Sequence, residues 1–189
     1  EVKDLIAYLN VLANLDDSVS LYRVLEMDLF DIDSKDISLL LTFARRASLT
    51  LFEAIEILVG SDISEKKNYI KFLPKISINT KKTLLIIYTL TQKHLNRVKR
   101  DTAGQILYYF LEDSGYLQKI AKYKTEKDER LALNISKFFD KLKSYEITHE
   151  DANIYAAVDF IKMSIELGES PNAIDLDKDL YDAVKILTI

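Results

Sequence analysis

The scarcity of turn-forming residues constrains the fold of this chain more than any other feature. Its 189 residues include only four Gly and two Pro, whereas a protein of many short strands uses both residues repeatedly at its turns. The chain is long enough for one domain with its own hydrophobic core, and 48% of its residues are hydrophobic. We therefore predict an all-α, multi-helix fold.

The spacing of apolar residues predicts where the helices lie. From Val2 to Ala13 apolar residues recur at intervals of three, four and seven, the pattern of an amphipathic helix. Ser, Thr and Asp precede several later apolar runs, where they can cap a helix. We predict further helices that begin at Asp16–Asp17, at Asp33 or Ser34, at Ser48–Thr50 and at Ser64, the last ending before Pro74; then helices over about 79–100, 102–113, 126–145 and 149–167.

The last residues of the chain follow a different pattern. Residues 183–189, AVKILTI, are apolar and partly β-branched, which predicts a strand. A single strand in a helical chain has no partner for its backbone groups. We therefore expect residues 1–182 to form a helical subdomain and residues 183–189 to begin a strand whose sheet lies elsewhere. Because the chain begins with Glu1 rather than Met, we also expect it to be a piece of a longer protein.

Charge is strongly segregated along the sequence, although the net charge is only -4. The segment 66–100 contains ten Lys and Arg residues and no acid, whereas acids dominate residues 1–36 and 146–182. Such asymmetry suggests two surfaces with different partners. The basic segment could bind a nucleic-acid backbone, the acidic segments could dock proteins, or all of them could be solvated helix surfaces.

The chain lacks the residue patterns of several kinds of active site. It has no Cys, which excludes disulfides and thiolate zinc sites. It has no Gly-rich loop followed by Lys and Ser or Thr, so we expect it neither to bind nor to hydrolyse ATP on its own. His94 and His149 lack a second ligand at metal-binding spacing, and we expect His149 to cap a helix start. We predict no catalytic residue, no metal site and no cofactor in this chain.

The chain also shows no signature of a membrane protein. Its apolar runs are far shorter than the roughly 20 residues that span a bilayer, and no charged-then-apolar leader opens the sequence. We expect a cytoplasmic protein without a membrane partner.

Several segments resemble a known family. They are residues 1–9 (EVKDLIAYL), 48–54 (SLTLFEA), 111–117 (LEDSGYL) and 182–189 (DAVKILTI). These segments resemble parts of the helical 2B subdomain, in the C-terminal helicase region of superfamily 1 DNA helicases of the UvrD/PcrA/Rep type. The resemblance covers the whole chain and is specific at both ends, but it is weak between about residues 60 and 102.

The resemblance implies a role for the longer protein. Members of this family are ATP-dependent DNA helicases that move 3′ to 5′ and hold ATP and Mg in two RecA-like domains, and they act in DNA repair or replication. Their 2B subdomain contacts duplex DNA at a single-strand/duplex junction, regulates unwinding and receives protein partners such as repair proteins. Two alternatives remain open: a protein-interaction or autoregulatory module with weak DNA binding, and the 2B-like region of a helicase–nuclease of the RecB/AddA group.

The resemblance also points to a loop that contacts duplex DNA, and this chain departs from the family there. The family has the sequence R-G-I-G, and the gap-free register places Phe30, Asp31, Ile32 and Asp33 at those positions. Two carboxylates near a phosphate would cost about 1 kcal/mol each at an effective dielectric of ~20–80. We therefore favour a simpler role for Asp33, as the cap of the following helix.

A second family contact lies at a helix N-terminus near residues 63–67. A Ser cap, free N–H groups and two Lys residues can form an anion site there, although Glu65 and the helix dipole oppose it. The predicted DNA-binding residues are Ser64, Lys66, Lys67, Lys71, Lys81, Lys82 and Arg97.

Overall fold

The computed structural model describes residues 2–60, 68–122 and 125–168, and for residues 70, 121 and 127 it describes the backbone alone. Within these ranges the chain forms α-helices and one short 3-10 helix, without a strand, so the all-α prediction is confirmed for them. The predicted strand at 183–189 and the predicted helix start at Ser64 lie outside the described residues. The elements are α1 (Val2–Ala13), α2 (Ser18–Leu25), α3 (Ser34–Ala47), α4 (Leu51–Val59), the 3-10 helix Ile70–Phe72, α5 (Ile78–Leu95), α6 (Ala103–Asp113), α7 (Tyr116–Ala121), α8 (Glu126–Thr148) and α9 (Ile154–Glu166).

Helix α1 is the centre of the core. Eight of its twelve residues are buried, which is more than the single apolar face of a surface helix supplies. It packs against α2, α5, α6, α8 and α9, so neighbours surround it on most sides. At roughly 1.5–3 kcal/mol for each large apolar side chain removed from water, this helix is a major source of the fold's stability.

Polar side chains fix the starts of most helices. Asp17 caps α2, Asp33 caps α3 and Ser77 caps α5, each accepting a hydrogen bond from a backbone N–H of the first turn. Reciprocal capping boxes begin α4, α6 and α8, where the cap residues are Thr50, Thr102 and Thr125. Each such cap contributes about 1 kcal/mol and sets the residue at which its helix begins.

Two predicted helix boundaries were wrong. The long helix ends at Leu95 rather than near Arg100, and residues 96–100 form turns. Val98 is still buried, so the apolar spacing that suggested a longer helix continues through a non-helical turn. His149 does not begin a helix; it ends α8, and α9 begins at Ile154 with Asn153 as its cap.

None of the helices that the structure describes is both long and apolar enough to cross a bilayer.

Candidate nucleic-acid interface

Helix α5 carries most of the basic segment and has two distinct faces. Its inner face packs on α1, α4 and α6, and its outer face is exposed to solvent. The buried residues are Thr80, Leu84, Ile87, Leu90, Thr91 and His94, and the exposed ones include Ile78, Lys81, Lys82, Leu85, Ile86, Thr89 and Lys93. The alternation of the two sets follows the helical repeat. The outer face is therefore basic and partly aliphatic, without an acidic residue.

Three of the predicted DNA-binding lysines are exposed, two of them near the start of this helix. Lys81 and Lys82 lie in the first turns of α5, and Lys71 lies in the 3-10 helix that precedes it. No described acidic side chain forms an ion pair with any of the three. Ser64, Lys66 and Lys67 lie outside the described residues.

A buried carboxylate joins the starts of α3 and α5. Asp36 Oδ2 accepts a hydrogen bond from the Ser77 backbone N–H (3.0 Å) and another from the Thr80 hydroxyl (2.7 Å). The bond from Thr80, with help from Ser77, lowers the pKa of Asp36. This link holds the lysine-bearing first turns of α5 beside the first turn of α3, and the loop at residues 30–33 leads directly into that turn.

The loop at residues 30–33, which the resemblance aligns with R-G-I-G, has one residue in the left-handed backbone region. Phe30, at the family's Arg position, is buried in the core, and Ile32 packs against it. Asp31, at the first Gly position, has φ 47°, which is the left-handed region that glycine adopts most readily. Asp33 is the cap of α3, with its Oδ1 2.8 Å from the Lys35 backbone nitrogen. Asp33 thus has a local structural role, and Asp31 is exposed.

Arg97, the remaining predicted DNA-binding residue, has partners within the fold. Its guanidinium lies 4.3 Å from the centre of the Tyr109 ring, and its Nη1 is 3.4 Å from Asp101 Oδ2. Lys93, in the last turn of α5, forms an ion pair of 2.6 Å with Asp113. These contacts leave Arg97 and Lys93 less available to a phosphate than Lys81 and Lys82 are.

Sequence reasoning missed a buried polar network on the inner face of α5. His94 is fully buried, its Nδ1 lies 2.6 Å from the Tyr8 hydroxyl of α1, and its Nε2 lies 3.1 Å from Asp113 Oδ2 at the end of α6. The Tyr8 ring also stacks on Phe110 at 4.0 Å. A single His among apolar residues gives no sequence signal for such a network, because its partners lie far away along the chain.

The surroundings of this network determine its protons. Burial raises the pKa of Tyr8 far above its usual range, so its hydroxyl keeps its proton and donates to His94 Nδ1. Burial also lowers the pKa of His94, despite the opposing effect of Asp113. The neutral ring therefore carries its proton on Nε2, which donates to Asp113. For Asp113 burial acts to raise the pKa, but the bonds from Lys93 and His94 outweigh it, and the pKa is lowered.

The described residues hold no group of three or more His, Cys, Asp or Glu side chains that could bind a metal ion. The outer face of α5 is the surface in this region that combines exposed lysines with exposed aliphatic side chains.

Comparison with known proteins defines the family. The family described as the UvrD-like helicase C-terminal domain matches residues 1–189, and the chain belongs to that family. It is 21% identical over 150 residues to DNA helicase II of Rickettsia typhi, covering 79% of this chain and 21% of that protein. It is 23% identical over 146 residues to the ATP-dependent DNA helicase PcrA of Staphylococcus aureus, covering 77% of this chain and 18% of that protein. The chain spans about a fifth of the length of these curated relatives.

Proposed function

We propose that this chain is the helical 2B subdomain of an ATP-dependent 3′–5′ DNA helicase, and that it contacts duplex DNA and regulates unwinding. The family match over residues 1–189 carries this proposal. The relatives are named as DNA helicases, and the chain spans only part of their length. The sequence of this chain contains no phosphate-binding loop. In this proposal residues 1–182 form the subdomain and residues 183–189 lead back to a RecA-like domain, while ATP and Mg are bound by the rest of the protein.

The DNA contact is assigned to a basic patch that we define as Lys71, Lys81 and Lys82. All three side chains are exposed, and none has an acidic partner among the described residues. Lysines on a helix surface neutralise phosphates without reading bases, so the contact would be independent of DNA sequence and weakened by salt. Arg97 is left out of the patch because Tyr109 and Asp101 already engage it.

A direct test measures binding of this chain to a labelled duplex with a single-stranded tail at two salt concentrations. The variant Lys71→Gln/Lys81→Gln/Lys82→Gln should bind at least about tenfold more weakly at low salt. Its slope of log affinity against log salt should fall by up to about three, since each neutralised phosphate contributes about 0.9.

The matched control is Lys137→Gln/Lys143→Gln/Lys162→Gln, which removes the same charge from exposed positions on α8 and α9. Its affinity should stay close to that of the unmodified chain. Equal losses in both variants would assign the binding to net charge alone, and an unmodified chain without salt-dependent binding would contradict the DNA contact altogether.

A further inference from the structure

The outer face of α5 exposes more aliphatic surface than a phosphate-binding helix needs. Ile78, Leu85 and Ile86 are 67%, 47% and 53% exposed, respectively. They occupy positions i, i+7 and i+8 on the same face, so the stripe they form is about two turns, or roughly 12 Å, long. Single exposed apolar residues are ordinary, but three on one helical stripe resemble the anchor pattern by which helices pack against each other.

The charged residues that α5 itself places beside this stripe all have the same sign. Lys81 and Lys82 lie between Ile78 and Leu85, and the whole segment from residue 66 to 100 contains no acid. A second copy of the chain would bring lysines against lysines, which disfavours self-association through this face. Phosphates would satisfy the lysines but would gain nothing from the aliphatic groups. Only a partner with both apolar and acidic groups complements the entire surface.

We propose that the outer face of α5 docks an amphipathic helix of a protein partner, with aliphatic residues that cover Ile78, Leu85 and Ile86 and acidic residues that pair with Lys81 and Lys82. This goes beyond the DNA contact and does not depend on it. Anchors at i, i+3 or i+4, and i+7 of the partner helix would match the spacing of the stripe. Because Lys81 and Lys82 also belong to the basic patch, partner and duplex would compete for this surface.

The test uses two synthetic 18-residue peptides of the same composition. In the first, leucines form one helical stripe flanked on both sides by glutamates, and in the second the leucines are distributed around the helix. Fluorescence titration of this chain should give at least tenfold tighter binding of the first peptide. Equal binding of the two peptides would show a charge effect without a docking surface and would overturn the proposal.

Two variants locate the binding. Leu85→Gln/Ile86→Gln should weaken binding of the striped peptide at least fivefold. The control variant Leu133→Gln/Ile147→Gln changes exposed aliphatic residues on α8 and should leave this binding unchanged. Circular dichroism would verify that both variants are folded. Equal losses in the two variants, or no loss in the first, would contradict the proposed location.

The same variants separate this inference from the DNA contact. Leu85→Gln/Ile86→Gln should leave duplex affinity unchanged, and Lys71→Gln should weaken duplex binding without changing peptide binding. If Leu85→Gln/Ile86→Gln weakened binding of the duplex but not of the peptide, this face would contact DNA and the docking proposal would be wrong. If the lysine variants bound the duplex as tightly as the unmodified chain does, and the striped peptide still bound more tightly than the other peptide, only the proposed DNA contact would be wrong.

Discussion

The two ends of helix α5 carry similar charges but use them differently. At the first end Lys81 and Lys82 have no acidic partner among the described side chains. Hydrogen bonds from Ser77 and Thr80 to Asp36 of α3 hold the start of the helix. At the second end Lys93 pairs with Asp113, Arg97 stacks on Tyr109, and His94 is buried between Tyr8 and Asp113. The first end leaves its lysines exposed. At the second end an ion pair joins α5 to α6 and a hydrogen bond of the neutral His94 joins α5 to α1.

The difference teaches that a count of basic residues does not locate a binding surface. The basic residues at both ends belong to a single acid-free segment of the sequence, which is why the sequence alone predicts Lys81, Lys82 and Arg97 as one group. The acids that engage the second end follow that segment in the sequence. Asp101 pairs with Arg97 locally, at i+4, whereas Asp113 reaches Lys93 only because the chain turns back into α6.

The largest expected effect is the loss of the buried imidazole. His94→Ala should lower the free energy of unfolding by about 3 kcal/mol, because it leaves a cavity and removes a hydrogen-bond partner of the Tyr8 hydroxyl in the core. Lys82→Ala, on the outer face of the same helix, should change stability by less than about 0.5 kcal/mol. Urea unfolding at pH 7.5 measures both. Similar losses at the two positions would remove the distinction between the ends.

Acidification should destabilise the second end. Burial lowers the pKa of His94 in the folded protein, so between pH ~6.5, where an unfolded His titrates, and the lower folded pKa the unfolded chain binds more protons. The contribution of the neutral His94 is therefore complete above about pH 6.5 and decreases as the pH falls, by at most about 1.4 kcal/mol per pH unit. Asp36 and Asp113, whose pKa values are also lowered, act below about pH 4.

The measurement compares urea unfolding at pH 7.5 and 5.5. His94→Gln should lose most of the pH dependence between these values, and His149→Gln, a change at an exposed position, should keep it. An unmodified chain that is more stable at pH 5.5 than at pH 7.5 would contradict the assignment.

The fold could be predicted further than the site, for a physical reason. Helix existence and caps such as Asp17 and Asp33 follow from local spacing and short-range hydrogen bonds, and the structure contains them. The hydrogen bonds of His94 with Tyr8, and of Asp36 with Ser77 and Thr80, join residues more than 40 positions apart. Local sequence patterns do not encode such pairings. The exposed stripe on α5 had a sequence signal: apolar residues occur on both faces of one helix.

Removal of the two carboxylates in the loop at residues 30–33 should strengthen duplex binding at the first end of α5. Asp31 and Asp33 lie directly before α3, whose Asp36 fixes the start of α5, so their carboxylates should oppose phosphates that approach the basic patch. Asp31→Gly/Asp33→Gly should raise duplex affinity about three- to thirty-fold at low salt, on the estimate of about 1 kcal/mol per carboxylate. The left-handed φ of Asp31 suits glycine, and glycine is a tolerable cap at Asp33.

Titration of a labelled duplex at two salt concentrations measures the change. A matched control is Asp140→Asn/Asp159→Asn, which removes two exposed carboxylates from α8 and α9 and should raise affinity much less. Unchanged affinity of the loop variant would mean that the loop does not face DNA.

The smallest expected effect concerns Arg97. Its measurement tests whether the contacts of Arg97 within the fold stabilise the protein and make Arg97 less available to DNA. A double-mutant cycle of Arg97→Gln and Tyr109→Leu should give a coupling energy of about 0.5–1 kcal/mol, the range of a partly exposed cation–π contact. Arg97→Gln should also weaken duplex binding less than Lys82→Gln does, although each removes one positive charge. Urea unfolding of the four proteins and duplex titration of the two single variants provide the values. A coupling energy near zero, together with equal losses of DNA affinity, would mean that Arg97 is as available as Lys82. The basic patch would then extend along the whole length of α5.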